Sequence, residues 1–269
     1  MKTSLGVRMK RYESQSRVYL EAKLPVIIRI DGKGFSKYTK GFKKPFDKIF
    51  METMFETTKF LCSNVQNCQV AYTQSDEITL LLVDYINDKT DSWFKNNLQK
   101  LCSVSSSMAT LAFNKSFIKN VESYHKKQLI SDEEYEFYKT KYHLAMFDSR
   151  AFTLPKEEVV NCFIWRQEDC IRNSIQMLGR ANFSHKKLDG LNTLEIKNLL
   201  KDELNIDWEE LSPYSKRGAI IYKHEFFNTE TNTIRKKWML LDDTPVFSKQ
   251  KDYINTVSYT HLTLPTTSR

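Results

Sequence analysis

Two acidic groups far apart in the chain have the types and spacing for chemistry. Asp31 closes the apolar run that begins at Pro25 and is followed by Gly32; Asp76 and Glu77 open the run from Ile78 to Val83. Carboxylates that meet at the ends of neighbouring strands supply oxygen ligands for a hard divalent cation, and magnesium held in this way serves two-metal phosphoryl transfer. Each group alone also has a plainer reading. Asp-Gly is a common turn signal, and Ser-Asp-Glu fits a solvated hairpin. Their joint placement favours the catalytic reading.

Whether they meet depends on the elements that carry them. Val26 to Ile30 is a β-branched run stopped by Asp31-Gly32, the mark of a buried strand. Asp47 is a plausible N-cap for a helix with apolar residues at Phe50, Met54, Phe55 and Leu61. Gln69 to Tyr72 reads as a strand, Gln74-Ser75 as a tight turn, and Ile78 to Val83 as the strand paired with it. A second helix is expected from about Ser92 to Phe113, and a last strand from Leu144 to Phe147. Strand, helix, strand, strand, helix, strand is the ferredoxin-like βαββαβ order of an α+β fold. Its first and third strands are antiparallel neighbours, so Asp31 falls beside Asp76 and Glu77.

Around these acids lie groups suited to phosphate. Gly32 and Gly34 in the loop Gly32-Lys-Gly-Phe-Ser36 permit close backbone approach, and the loop amides fit an anion nest. Lys33 and Lys44 are nearby cations. Ser103, Ser105, Ser106 and Ser107 disfavour a helix unless it packs closely on the sheet or makes polar contacts. Arg150 suits a phosphate or an ion pair with Asp148. From Lys156 to about Leu178 an amphipathic helix is expected, with Val159, Phe163, Arg166, Cys170 and Ser174 on related faces.

Five stretches in order carry a family resemblance: Ile28-Arg-Ile-Asp-Gly-Lys-Gly-Phe35, Phe42-Lys-Lys-Pro45, Ala71-Tyr-Thr-Gln-Ser-Asp-Glu77, Phe147-Asp-Ser-Arg150 and Trp165-Arg-Gln-Glu-Asp169. Together they resemble the motifs of the tRNA-His guanylyltransferase superfamily, from about Arg8 to Phe247. The resemblance implies a polymerase palm-like core, residues 1–155, with a helical, tRNA-binding C-terminal region, 156–256. It implies nucleotide addition to the 5′ end of tRNA in the 3′-5′ direction, after ATP activates a 5′-monophosphate.

In that family pattern Asp31 and Asp76 hold two Mg2+ ions together with the Gly32 carbonyl, and Glu77 supports them as a catalytic residue. Gly32, Lys33, Gly34, Phe35, Ser36, Lys44 and Ser75 form the site for ATP, GTP or other nucleoside triphosphates. Arg150, Arg166, Gln167, Arg172, Asn173, Lys186 and Lys187 are candidate tRNA contacts. A homotetramer is implied as well. One stretch departs from the guanylyltransferases, which carry His-Ile-Asn-Asn where this chain has Ile171-Arg-Asn-Ser174. This resembles the guanylyltransferase-like branch that repairs 5′-truncated tRNA on a template, the preferred expectation; addition of a single guanosine to tRNA-His is the alternative.

Composition fits a polyanionic partner. The 269 residues carry a net charge of +8, with a sequence pI near 9.1. Basic clusters with neighbouring aromatics recur, as at Lys126-Lys127 and Arg235-Lys236-Lys237. Five cysteines lack zinc-type spacing and there is no apolar run of transmembrane length. Free thiols and a cytoplasmic location are therefore expected, with mitochondria as the alternative because Met1 to Lys10 is basic but too short for a clear transit peptide. Residues 257–269, threonine-rich and beyond the resemblance, are read as a non-native or disordered tail. Two remoter functions compete: a nucleotide cyclase, which would not need the basic C-terminal third, and a noncatalytic RNA-binding module, which would leave the acids without purpose.

Overall fold

The computed structural model describes residues 4–86, 89–229, 232–241 and 243–259. In chain order the N-terminal half contains α1 (Leu5–Ser14), β1 (Val26–Gly32), α2 (Phe35–Tyr38), α3 (Lys48–Asn64), β2 (Cys68–Gln74), β3 (Glu77–Leu82), α4 (Leu98–Lys126), α5 (Asp132–Lys139) and β4 (Phe147–Thr153). The remainder contains α6 (Val159–Asn182), α7 (His185–Leu188), α8 (Thr193–Leu204), α9 (Pro213–Arg217), β5 (Ala219–Asn228), β6 (Thr233–Leu240) and α10 (Asp252–Tyr259). The strands form one antiparallel sheet in the order β4-β1-β3-β2-β5-β6.

Both faces of the central strands β1, β2 and β3 are largely buried, which explains why they read as continuous apolar runs rather than alternating ones. Val26, Ile28 and Ile30 point into a core with Ile78, Leu80, Met54 and Phe113, residues of β3, α3 and α4. Ile27 faces the opposite way, into a second core with Leu81, Phe163, Ile220 and Phe247. A third cluster joins Ile175 and Leu178 of α6 to Ile196 and Leu200 of α8.

Local signals set the helix ends. Asp47 caps α3, its Oδ1 accepting from the Phe50 N–H at 2.9 Å. Asn97 caps α4 by accepting from Lys100 N–H at 3.0 Å. The serine-rich part of α4 packs on the sheet as its small side chains suggest: Ser105 is buried and its Oγ shares a hydrogen bond of 2.8 Å with Ser149 of β4.

Three expectations are corrected. The last strand of the first half is Phe147–Thr153, not Leu144 to Phe147, so Asp148 and Arg150 lie within it. Leu144 and Met146 are exposed, and the strand's signal is pairing with β1 rather than an apolar run. The second long helix begins at Leu98 and continues to Lys126, after a 3-10 turn at Trp93–Asn96. The region after residue 155 is not only helical: β5 joins the sheet beside β2, with Val70 opposite Tyr222 and Thr73 opposite Ala219. The β-branched start of β5 is buried on both faces, in the same two cores as the earlier strands. Of the expected tail, residues 257–259 end α10 and 260–269 lie outside the described residues.

Gly218 makes the approach to β5 possible. Its φ is +70°, and a Cβ there would come within 2.7 Å of the Thr73 carbonyl oxygen and 2.5 Å of the Tyr72 hydroxyl. Gly218→Ala is expected to destabilise the fold by more than about 1 kcal/mol, seen as a lower midpoint in thermal unfolding with little change in secondary structure.

Candidate active site

The hairpin between β2 and β3 turns through two residues, Ser75 and Asp76, with Gln74 opposite Glu77. Asp76 is thus a turn residue rather than the first residue of a strand, and the turn falls at Ser75-Asp76 rather than Gln74-Ser75. Ser75 takes a positive φ of 45° to make the turn. The tip is tied to β1 by the Gly32 N–H, which donates to the Asp76 carbonyl at 3.1 Å. A Cβ on Gly32 would lie 2.8 Å from Asp76 Oδ2 and 2.4 Å from the Phe35 ring. The carboxylate therefore reaches a position that only glycine leaves open.

Asp31, Glu77 and Asp148 are direct partners across three adjacent strands, and so share one face of the sheet. Burial pushes the Asp31 carboxyl above its usual range, followed by repulsion from Glu77 and Asp148 and opposed by Arg150 and Arg29. Burial, then Asp31, pushes Asp76 up to about 6. A pair of carboxylates held together against water favours a proton or a cation between them.

Asp148 pairs at the surface with Arg150, and Glu77 is the buried member of the group that already has its cation. Arg166 of α6 grips it with two parallel bonds, Nε to Oε1 at 2.7 Å and Nη2 to Oε2 at 2.8 Å, both side chains being almost wholly buried. The same Arg166 Nη2 donates to Asp169 Oδ2 at 2.9 Å, and Asp169 also pairs with Arg172. Gln74 Nε2 completes the link by donating to the Arg166 carbonyl at 3.1 Å. This fork locks the hairpin to α6 and leaves Asp31 and Asp76 as the open carboxylates.

They line a cleft of about 710 Å³ whose walls come from four parts of the chain. The segment Phe35–Met51 supplies Phe35, Ser36, Lys44 and Asp47; the hairpin supplies Ser75 and Asp76. From α6 come Arg166, Asp169, Asn173, Gln176 and Arg180 at successive helical turns, and Tyr214 and Ser215 come from α9. Asp47 is built in by three donors: its own cap bond, Lys43 N–H at 3.1 Å and the Tyr138 hydroxyl at 2.5 Å. Tyr214, Gln176 and Arg180 were not singled out in the sequence, although the polar stripe of α6 at spacings of three and four carried a signal for the last two.

The other expected residues are placed as follows. Gly34 takes a φ of 67° and starts α2, while Lys33 is exposed and its N–H donates to the Met146 carbonyl at 2.9 Å. Lys33 and Gly34 do not line the cleft; exposed Lys44 stands at its rim. Arg150 is exposed beside Asp148. Lys186 and Lys187 are exposed at α7 and do not line the cleft, and Lys187 pairs with Glu203. Two tRNA contacts are corrected. Arg166 is committed to Glu77 and Asp169, and Gln167 is buried, bonding the Pro245 carbonyl and the Phe247 N–H at 2.8 Å each. The sequence showed their polarity but not that it is satisfied internally.

The donor set fits magnesium. No cluster of three or more His, Cys, Asp or Glu able to hold a metal occurs among the described residues. Two neighbouring carboxylates beside a glycine suit an ion that takes few protein ligands and fills its sphere with water and substrate phosphate. All five cysteines are free thiols, and burial pushes Cys162 up to about 11, so it is no thiolate nucleophile at neutral pH. No helix among the described residues is long and apolar enough to cross a membrane.

The mixed α/β architecture and the acid-floored cleft belong to a nucleotidyltransferase that acts on tRNA. Residues 6–155 match the family model for tRNAHis guanylyltransferase, and the chain belongs to this family. A solved structure of a bacterial tRNA(His) guanylyltransferase-like protein in complex with ATP is 43% identical, with a TM-score of 0.82 over 95% of this chain and 99% of that one. One in complex with GTP is 38% identical, with a TM-score of 0.76 over 96% and 100%. The tRNA(His) guanylyltransferase of Debaryomyces hansenii is 26% identical over 85% of this chain and 84% of its own length.

Two outcomes follow from the acidic floor and its clamp. The Asp76 proton is held more tightly in the folded chain than in the unfolded one, so its stabilising effect is present at low pH and is lost as pH rises toward about 6. Asp76→Asn should therefore raise the metal-free melting temperature at pH 7.5, by at most about 3 kcal/mol of stability, and should remove most of the stabilisation that magnesium gives the unmodified protein. Arg166→Ala leaves the Glu77 carboxylate buried and unpaired at a cost of about 3–5 kcal/mol. Calorimetry should show a large fall in melting temperature, partly recovered in the double variant with Glu77→Gln.

Proposed function

We propose that the chain is a magnesium-dependent 3′-5′ nucleotidyltransferase that restores missing nucleotides at the 5′ end of tRNA, copying the opposite strand of the acceptor stem. The observation that carries this reading is the convergence of Asp31 and Asp76 on the floor of a nucleotide-sized cleft, with Gly32 packed against Asp76 and Lys44 at the rim. The first four strands, in the order β4-β1-β3-β2, are read as a palm-like core. The working assembly is proposed to be a homotetramer.

Asp31 and Asp76 would hold two Mg2+ ions with the Gly32 carbonyl. Magnesium bound there would lower the pKa of an attacking hydroxyl and neutralise charge on departing phosphates. The tRNA 5′-phosphate first attacks the α-phosphate of ATP, releasing pyrophosphate and leaving an adenylylated end. The 3′-hydroxyl of an incoming nucleoside triphosphate then attacks the activated 5′-phosphate and AMP leaves, so the new end keeps a triphosphate. Lys44, Ser36, Ser75 and the Phe35 and Ser36 amides at the start of α2 would position the triphosphate, the Gly32 and Lys33 amides being bonded to the Asp76 and Met146 carbonyls. Glu77, fixed by Arg166, holds the hairpin that aims Asp76. Arg150, Arg172, Asn173, Lys186 and Lys187 contribute to the tRNA surface.

Template-directed repair is supported by the stretch Ile171-Arg-Asn-Ser174. Ile171 packs against the α6–α8 cluster, and Ser174 Oγ accepts from Trp208 Nε1 at 3.0 Å while lying 3.2 Å from the Lys216 carbonyl it donates to. This small buried serine is part of the wall, so the departure from His-Ile-Asn-Asn is built into the packing. Addition of one guanosine to tRNA-His is the second reading, favoured by the relatives that carry that name.

Two 5′-monophosphorylated substrates separate them: a tRNA lacking its first nucleotide and a full-length tRNA-His, each with magnesium, ATP and all four nucleoside triphosphates. Restoration of the base complementary to its partner is the expected product, and Asp76→Ala should reduce it by several orders of magnitude. Guanosine addition to tRNA-His alone supports the second reading; no product from either substrate overturns both.

A further inference from the structure

Beside the acidic floor lies a cationic and aromatic patch that neither folding nor the nucleotide cleft accounts for. Arg29 is two residues before Asp31 on β1 and shares its face, about 7 Å along the strand. Directly opposite Arg29 on β4 is Arg150. Like charges facing one another across a strand pair are destabilising. Among the described residues Arg150 pairs with Asp148 at 3.3 Å and Arg29 forms no salt bridge. The Arg29 guanidinium lies 5.3 Å from the ring centre of Trp165 on α6, and that of Arg166 lies 4.4 Å away. Trp165 is nevertheless 52% exposed, although its helix packs on the sheet.

We propose that Trp165, with Arg29 and Arg150, is the platform on which the terminal base pair of the RNA acceptor end stacks, the two guanidiniums receiving its terminal phosphates. An exposed indole is a sequence-tolerant stacking surface for a base, and planar guanidiniums bind phosphate bidentately. Two facing arginines that repel each other are balanced once an anion sits between them. The spacing also fits the chemistry. Arg29 lies one strand repeat, about 7 Å, from Asp31 on the same face, so a phosphate held between Arg29 and Arg150 is next to the acids. The nucleoside triphosphate in the cleft and the RNA end on the platform would thus meet at the acids from two sides. This assignment rests on the RNA-end chemistry proposed above.

The test measures the affinity of a 5′-monophosphorylated acceptor-stem hairpin RNA by fluorescence anisotropy for the unmodified protein, Trp165→Ala, Trp165→Phe and Arg150→Ala. Trp165→Ala is expected to weaken binding by about tenfold or more, and Trp165→Phe, which keeps an aromatic face, by much less. Arg150→Ala should reduce the preference for the 5′-phosphorylated hairpin over its 5′-hydroxyl form. The Kd for magnesium-ATP, measured by calorimetry, should be the same in Trp165→Ala as in the unmodified protein. If the unmodified protein binds the hairpin and Trp165→Ala binds it within twofold, or if Ala and Phe lose affinity equally, the platform is overturned while the enzymatic reading stands. If the unmodified protein does not bind the hairpin, the enzymatic reading fails and the platform with it.

Discussion

The antiparallel register of β1 on β3 is the constraint on which the site depends. Val26 faces Leu82 and the pairing runs without a slip to Asp31 against Glu77. A shift of one residue would turn every side chain of β1 to the other face, sending Ile28 and Ile30 out of their core and Asp31 away from the cleft. Apolar burial therefore specifies the position of a charged group it never touches. The Gly32 N–H bonded to the Asp76 carbonyl continues the pairing into the turn, so the second carboxylate is placed by the same ladder.

Placing three carboxylates at one strand edge is electrostatically unfavourable, and the structure resolves this unevenly. Glu77 is neutralised from within by a buried two-bond fork to Arg166, which is itself steadied by Asp169. Among the described residues Asp31 and Asp76 have no such fork, and both carboxyls are pushed up by burial and by neighbouring acids, only partly opposed at Asp31 by Arg150 and Arg29. The protein thus supplies the positive charge where rigidity is needed and leaves it open where a cation and a substrate can enter. Stability is given up at the site and recovered in the two cores around it.

Helix α6 joins these roles. One side places Val159 and Phe163 in the second core and Ile175 and Leu178 in the third. Arg166, Cys170 and Asn173 face the cleft, while Trp165 remains at the surface over Arg29. A single rigid element thereby fixes the distance between the acidic floor, the cleft wall and the aromatic patch. The buried amide of Gln167, bonded to Pro245 and Phe247, anchors the chain beyond β6 to the same helix.

Much of this was legible in the chain itself. The run from Val26 to Ile30 and the Asp-Gly stop define a buried strand and its end, because β-branched side chains and turn residues act locally. The strand and helix order implied that Asp31 would meet Asp76 and Glu77. Local signals could not place β4, whose exposed Leu144 and Met146 mislead and whose pairing is with a distant strand. Nor could they reveal β5 and β6 as part of the same sheet. The polar residues of α6 were visible, but a sequence does not show which charge is already satisfied: Arg166 and Gln167 look free to meet RNA until the fold closes on them. Composition, caps and periodicity are short-range properties and belong to the sequence. Register between distant strands and the pairing of buried charges are long-range, and only the packed structure decides them.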